Sequence, residues 1–141
     1  MPSSREPTAR ARWVDAVAAI NHRYLFLDPD TGFYTHHNGE SNNKLLFTEL
    51  EVMLSRREAL IVYRHQYWPS LKEVPTHGYP YVWHGLSMLR NAGFTSFAYQ
   101  SLAASVFFIS KQEPDLLPFR NAFQKAFVGV SVPVVEKRLV G

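Results

Sequence analysis

The run Ala59-Leu-Ile-Val-Tyr63 decides the class of fold, because it is continuously apolar and rich in β-forming residues. Such a run is typical of a strand that is covered on both faces of a sheet. A second apolar run, Arg23-Tyr-Leu-Phe-Leu27, stops at Asp28-Pro29 and predicts another buried strand that ends in a turn. Strands that alternate with helical segments predict an α/β sheet.

Helical patterns flank these strands. Thr8 is a suitable N-cap for a first helix, so we expect residues 1–8 to be disordered and the helix to follow them. Thr48 and Glu51 have the spacing of a capping box, which marks the start of a second helix. The expected helices are residues 9–20, a segment that begins near Thr48, residues 81–91 with Gly93 as its stop, and residues 116–128. In the last of these, phenylalanine recurs every four residues, at 119, 123 and 127, which predicts an apolar stripe that packs in the core.

The C-terminal part of the chain predicts a hairpin. Residues 95–99 and 105–109 have strand patterns, and the connection of about five residues is too short for a parallel crossover, so the pair must be antiparallel. The tail, residues 129–141, predicts an edge strand only weakly, because Pro133 cannot donate to a sheet. The full pattern predicts a reduced doubly wound α/β sheet, mostly parallel with a C-terminal antiparallel hairpin, and with helices on both faces.

The composition is that of one globular domain spanning residues 1–141. Hydrophobic residues make up 46% and charged residues 19% of the chain, which is far from the composition of disordered proteins. The absence of cysteine excludes disulfides, zinc–thiolate sites and thiol nucleophiles. No apolar run approaches the ~20 residues of a membrane span and no signal peptide is visible, so we expect a cytoplasmic protein without a membrane partner. The net charge of +3 is compatible with a nucleic-acid or acidic protein partner.

We expect the chemistry in the two long polar segments that follow the predicted strands. Ligands of open α/β sheets bind beyond the carboxyl ends of the strands, so residues of both segments can converge there. We predict a catalytic cluster of Asp28, Asp30, Lys44 and His65, in which the carboxylates could hold a divalent cation or accept hydrogen bonds from an amino group, and the lysine could stabilise charge on a phosphate. Two simpler interpretations stay open. Asp28-Pro-Asp-Thr-Gly32 is a good turn sequence by itself, and His65 could be a structural histidine.

The same two segments are rich in aromatic residues that could recognise a partner. We predict that Phe33, Tyr34, Arg64, Tyr67 and Trp68 bind a substrate or a partner. Aromatic side chains stack well on nucleobases, but they could equally close the core of a small domain. No metal site is predicted, because the two adjacent histidines of the first segment diverge and no third ligand has a suitable spacing.

Three stretches of the chain resemble a group of poorly characterised bacterial proteins. The stretches are Leu25-Phe-Leu-Asp-Pro-Asp-Thr-Gly32, Lys44-Leu-Leu-Phe-Thr-Glu-Leu50 and Leu60-Ile-Val-Tyr-Arg-His65. They are similar to an Asp-Pro-Asp-Asn/Thr-Gly motif, a downstream lysine and a Tyr-Gln-His strand end. That group resembles class I S-adenosylmethionine-dependent methyltransferases, which have Rossmann-type sheets, in the neighbourhood of the three-cysteine-motif partner proteins. The resemblance covers roughly residues 12–110, and the order of elements is similar to the C-terminal half of that fold.

The resemblance implies a role for the first motif. In amino-methyltransferases an Asp/Asn-Pro-Pro-aromatic tetrapeptide after the fourth strand holds the target amine, and by position Asp28 would take that role. Asp30 and Thr31 replace the second proline and the aromatic residue. The cofactor half of the fold has no counterpart, so no cofactor is predicted, with S-adenosylmethionine or a divalent metal as alternatives. A half sheet leaves one strand edge unpaired, so we expect either a homo-oligomer through this edge or a tail that covers it.

These observations predict a reduced methyltransferase-like domain that binds a partner and does not transfer methyl groups. It would act as a binding or inhibitory module on a nucleic-acid or defence enzyme, and its small size suits a phage or mobile-element protein. The alternative is a small enzyme that acts on nucleic acid, a nucleotide or S-adenosylmethionine through the predicted catalytic cluster. A third alternative is that the chain belongs to a larger assembly that supplies the missing strands.

Overall fold

The computed structural model of the protein describes residues 7–29, 33–34, 45–65, 80–100, 104–126 and 138–140. Helices and strands alternate along the chain, as the sequence predicts. The helices are α1 (Pro7–Ala18), α2 (Phe47–Leu54), α3 (Pro80–Asn91) and α4 (Leu117–Ala126), with a short 3-10 helix at Glu113–Leu116. The strands are β1 (Tyr24–Leu27), β2 (Phe33–Tyr34), β3 (Leu45–Leu46), β4 (Ala59–His65), β5 (Thr95–Gln100), β6 (Ala104–Ser110) and β7 (Arg138–Val140).

The main sheet is mixed, with the strand order β1-β4-β6-β5-β7. Strands β1 and β4 are parallel, whereas the pairs β4–β6, β5–β6 and β5–β7 are antiparallel. The α/β class and the antiparallel hairpin are therefore confirmed, but the prediction of a mostly parallel sheet is wrong. The reason is that β6 inserts between β4 and β5, so these two strands run in the same direction without pairing with each other.

The two strands that decided the fold class are parallel neighbours, as predicted. Leu25 lies opposite Leu60 and Leu27 lies opposite Val62. Beyond this register β4 continues for three more residues, through His65. The connection between the two strands contains α2, which supplies the helical crossover that parallel strands require.

Helices cover both faces of the sheet, which confirms that part of the prediction. On one face α1, α2 and α3 pack on alternate sheet residues, among them Leu60 and Val62 of β4. On the other face α4 packs on the intervening positions, among them Ala59 and Ile61. The alternation follows from the two-residue period of a strand and produces two separate hydrophobic cores.

The phenylalanine stripe of α4 forms the second core. Phe119 and Phe123 both contact the ring of Phe108 on β6, with centroid distances of 5.2 and 5.3 Å. Phe119 also meets Tyr24 of β1 edge-on at 4.8 Å. The described part of the stripe is therefore core, as its helical spacing predicts; α4 is described through Ala126, and residues 127–128 of the expected helix lie outside the described part of the chain.

Helix α1 begins earlier than expected. It starts at Pro7, so the prediction of Thr8 as a preceding cap, and of disorder reaching residue 8, is wrong for these two residues. Proline is favoured in the first turn of a helix, where its missing N–H would have no partner and its φ angle is already helical. Residues 1–6 lie outside the described part of the chain.

A buried arginine ties the ends of α1 and α2 together. Arg57 lies in the turn between α2 and β4 and is only 9% exposed. Its Nε donates to the carbonyl of Met53 at the end of α2. Its Nη2 donates to three carbonyls at the end of α1, those of Val17 at 2.9 Å, Ala18 at 3.2 Å and Ile20 at 3.1 Å. Helix C-termini leave carbonyls short of intrahelical partners, so Arg57 serves two helix ends at once, although the carbonyls of Val17 and Ile20 also accept backbone N–H groups.

A second polar contact joins the same two helices. Arg10 of α1 and Glu49 of α2 form a two-pronged ion pair, with Nη2 and Oε2 at 2.8 Å and the Nε of Arg10 on the other carboxylate oxygen. Both side chains are largely buried, at 12% and 10% exposure. The pair therefore fixes how α1 and α2 lie against each other.

The described residues of the tail form a strand that lies away from the first strand. Strand β7 pairs with β5, with Val140 opposite Ala98 and Arg138 opposite Gln100, at the edge of the sheet far from β1. The expectation of a tail strand is thus confirmed, and this strand does not cover β1; the rest of the tail, residues 129–137, lies outside the described part of the chain. Within the described residues β1 remains the terminal strand of the sheet.

Candidate functional site

The candidate site lies at the edge of the sheet that is formed by the carboxyl ends of β1 and β4, and not along a terminal strand. Because these strands are parallel, Asp28 leaves the sheet at the same edge as the end of β4 at His65. Leu27 is opposite Val62, so the backbone of Asp28 is level with Tyr63, and that of His65 lies about 7 Å further along β4. Asp28 is exposed to solvent, while the following Pro29 is buried.

The structure describes some of the predicted site residues fully and others in part. Asp28 is exposed and Arg64 is half-buried on β4. His65 ends β4, while Phe33 and Tyr34 form β2, which pairs with β3 in a separate two-stranded sheet. For these three residues only the backbone is described. Four predicted residues lie outside the described part of the chain: Asp30, Lys44, Tyr67 and Trp68.

A row of polar residues crosses the sheet at this edge. Arg64 of β4 lies opposite Ser105 of β6, which in turn lies opposite Gln100 of β5. Ser105 and Gln100 are fully buried. Strand alternation places all three on the face that α1, α2 and α3 cover. Buried polar side chains need hydrogen-bond partners, so this row requires a specific arrangement of neighbours.

Sequence reasoning missed this row. Gln100 ends the series of β5 residues on this face, and Ser105 begins the corresponding series on β6, which continues with residues 107 and 109. A polar residue at the end of such a series is ordinarily exposed. The available signal was the position of Gln100 and Ser105 at matching ends of a predicted hairpin, which places them side by side. That they are buried is decided by the neighbouring elements.

Helix α3 brings an exposed tryptophan to the same edge. Gly93, at φ 92°, ends α3 as predicted, and the chain turns directly into β5. Helix α3 therefore runs back along the sheet, held by Val82, Leu86 and Leu89 in the core. Its 12 residues span about 18 Å and the six of β5 about 20 Å, so its first turn reaches the level of the polar row. Trp83, in that turn, is 49% exposed.

Three side chains at this edge, those of Asp28, Arg64 and Trp83, have complementary chemistry. Asp28 accepts hydrogen bonds, the planar guanidinium of Arg64 donates them, and the indole of Trp83 offers a large apolar surface with one donor. Within the described residues, no group of three histidine, aspartate or glutamate side chains is placed to hold a metal ion. A hydrogen-bond acceptor, a planar cation and a large aromatic surface together are suited to recognising a surface.

Two general findings complete the description of the site. Of the helices in the described ranges, none combines the length and the apolarity that a membrane crossing requires. Comparison of the chain with protein-family models, with curated proteins and with solved structures finds no match in any of the three.

Proposed function

We propose that the protein is a reduced methyltransferase-like domain that acts in the cytoplasm as a binding or inhibitory module. Its partner is a nucleic-acid or defence enzyme, and the protein is encoded by a phage or a mobile element. The observation that carries the proposal is the half-exposed Trp83 in the first turn of α3, a helix that runs back towards the ends of β1 and β4 where Arg64 and the exposed Asp28 lie.

The chemistry of this edge supports binding. Tryptophan and arginine are the residues most enriched among those that dominate binding energy at protein interfaces. Trp83 keeps half of its surface in solvent although it is a large aromatic residue, and Arg64 is half-buried, which limits the freedom of its side chain. A group that is held in place before binding loses less entropy when a partner arrives.

The strand arrangement supports the methyltransferase-like part of the proposal. The resemblance implies two parallel strands followed by an antiparallel hairpin, and β1, β4, β5 and β6 have these relations. In the resemblance Asp28 corresponds to a residue that grips an amine after the fourth strand. Here it would accept a hydrogen bond from a donor of the partner.

We also propose that two copies of the protein meet across β1. This strand ends the sheet, and an unpaired strand edge is a template for pairing with another chain. Phe26 in β1 is 58% exposed, the largest exposure among the large hydrophobic residues of the described chain. Pairing with a second copy would cover both the strand edge and this ring.

The proposal is tested by inhibition of purified enzymes. Restriction endonucleases, exonucleases and DNA methyltransferases are each assayed against increasing amounts of the protein. We expect stoichiometric inhibition of at least one of them. Trp83→Ala should weaken that inhibition by about 30-fold or more, because truncating a central aromatic anchor costs about 2 kcal/mol or more.

Val52→Ala is the matched control. Val52 is also an exposed hydrophobic residue on a helix of the same face, 42% exposed on α2, but it lies away from the strand ends. It should leave inhibition unchanged within about twofold. Lack of inhibition across all the enzymes would refute the proposal. Methyl transfer from S-adenosylmethionine to DNA or RNA, or hydrolysis lost in a folded Asp28→Ala variant, would instead support the enzymatic alternative.

A further inference from the structure

We propose that a pocket at the amino end of β5, on the opposite end of the sheet from Asp28, binds the phosphate group of a small phosphorylated molecule. The pocket is open, has a volume of about 490 Å³ and lies at the amino end of β5. That volume lies within the range of roughly 300–1,000 Å³ that small-molecule sites occupy. Its lining residues are Arg90, Phe94, Thr95, Ser96, Glu113 and Arg120.

Part of the edge of β5 is available to a ligand in this pocket. Strand β7 pairs only with Ala98, Tyr99 and Gln100, so the first half of β5 has no partner strand on that side within the described residues. Thr95 and Ser96 belong to this half and are half-buried. Their hydroxyl groups, and the backbone beside them, can donate hydrogen bonds to an anion.

Two arginines flank the first half of β5 from opposite faces of the sheet. Arg90 is exposed in the last turn of α3, on one face. Arg120 is half-buried on α4, on the other face. The guanidinium of Arg120 lies over the ring of Phe97 with 4.6 Å between its carbon and the ring centroid, which holds its plane in a fixed orientation. Because Arg90 and Arg120 line the same pocket, their guanidinium groups form a clamp around the start of β5.

Arg90 and Arg120 form no ion pair with another residue of the described chain. The ion pairs seen there join Arg10 to Glu49, Arg23 to Glu58 and Lys111 to Glu51. Neither arginine of the pocket takes part in one, although Glu113 lines the same pocket. Two guanidinium groups against one carboxylate leave the pocket positive. Planar guanidinium groups match phosphate oxygens with two parallel hydrogen bonds, which makes phosphate the favoured ligand.

The pocket favours a small ligand over a nucleic-acid strand. A strand would carry its phosphates past Glu113, whose carboxylate would repel them, whereas one phosphate can sit between Arg90 and Arg120. Because the pocket is at the amino end of β5, it is separate from the edge that carries Asp28 and Trp83. It can therefore be tested independently of the proposed function.

Titration with inorganic phosphate and with adenosine monophosphate, followed by the backbone amide signals of Thr95 and Ser96, tests the proposal. Both probes should shift these signals saturably, with millimolar or tighter dissociation constants. Arg90→Gln and Arg120→Gln should each weaken binding at least about tenfold, since each removes a charge-assisted hydrogen-bonding group. Arg56→Gln, a change at an exposed arginine in the turn after α2, should leave binding unchanged.

Arg120→Gln also removes a ring contact, so its thermal unfolding must be measured. Arg90 is exposed, and its variant should stay folded, which keeps the test decisive. Absence of saturable shifts with phosphate, or equal affinities for wild type and Arg90→Gln, would overturn the proposal. A single-stranded oligonucleotide that binds far more tightly than adenosine monophosphate, and depends on Arg90, would overturn the assignment to a small ligand.

Discussion

Replacing Arg57 by methionine should cost the protein about 3 kcal/mol of its free energy of unfolding. Methionine keeps an unbranched apolar stem but removes the guanidinium that serves the ends of α1 and α2. Arg57 donates to four carbonyls, and the one on Met53 belongs to a fully buried residue. The perturbation therefore isolates the capping function from the packing of the stem.

The magnitude follows from the environment of each carbonyl. Leaving the Met53 carbonyl unpaired should cost about 2 kcal/mol, because water cannot easily replace the lost donor. The three α1 carbonyls lie nearer to solvent and should lose about 1 kcal/mol together as water takes over. Removing a positive charge from two helix C-termini adds about 1 kcal/mol.

One term opposes this loss. Burial lowers the pKa of Arg57, which shows that its charged form is poorly solvated, and its Nη1 is buried without a described partner. Removing the guanidinium should recover about 1 kcal/mol of that desolvation. The net loss of about 3 kcal/mol is measured from urea unfolding followed by circular dichroism.

The matched control is the neighbouring arginine. Arg56→Met changes the same residue type at an exposed position and should alter stability by less than about 0.5 kcal/mol. An Arg57→Met protein that is as stable as the wild type, or more stable, would refute the reasoning. It would mean that desolvation of the charge outweighs its hydrogen bonds, as happens when some buried ionic groups are replaced by apolar ones.

Three further predictions concern other parts of the chain. Phe26→Lys should shift the protein from dimer to monomer in analytical sedimentation, because Phe26 is exposed on the terminal strand. The control Val52→Lys should leave the dimer intact, and a wild-type protein that is monomeric at high concentration would contradict the prediction. Arg10→Met should cost about 2 kcal/mol in urea unfolding, because it removes the two-pronged ion pair with the largely buried Glu49, and adding Glu49→Leu should recover most of it; no recovery would contradict this. Burial raises the pKa of Tyr99 above its ordinary value of 10.0. The contribution of Tyr99 to stability is therefore complete below pH 10 and is lost as the pH rises through the raised pKa. Urea unfolding measured against pH should show a smaller loss of stability above pH 10 for Tyr99→Phe than for the wild type; an equal loss would contradict this.

Local patterns were sufficient for the four helices, for strands β1, β4, β5 and β6 and for the pairing of β1 with β4, but they did not predict the small sheet of β2 and β3. The apolar runs of β1 and β4 and the segment between them that holds α2 predict parallel neighbours, and the register of Leu27 with Val62 confirms it. The short connection between β5 and β6 likewise forces an antiparallel hairpin. These predictions succeed because chain connectivity and side-chain period act over a few residues.

The site was predictable only in part. Asp28 and the end of β4 could be placed at one edge, because parallel strands end on the same side of a sheet. Trp83 could not, since its position depends on the direction in which α3 runs back across the sheet. Of the predicted cluster, Asp30 and Lys44 lie outside the described residues, so their convergence with Asp28 stays a prediction.

By itself the sequence determined the α/β class, the helical stripes and the pairing of β1 with β4. Only the tertiary structure decided that β6 enters the sheet between β4 and β5, which makes the sheet mixed. It also decided that Gln100 and Ser105 are buried and that Arg57 serves two helices at once. The physical reason is that strand order, burial of polar groups and long-range hydrogen bonds depend on elements far apart in the chain, which local periodicity cannot encode.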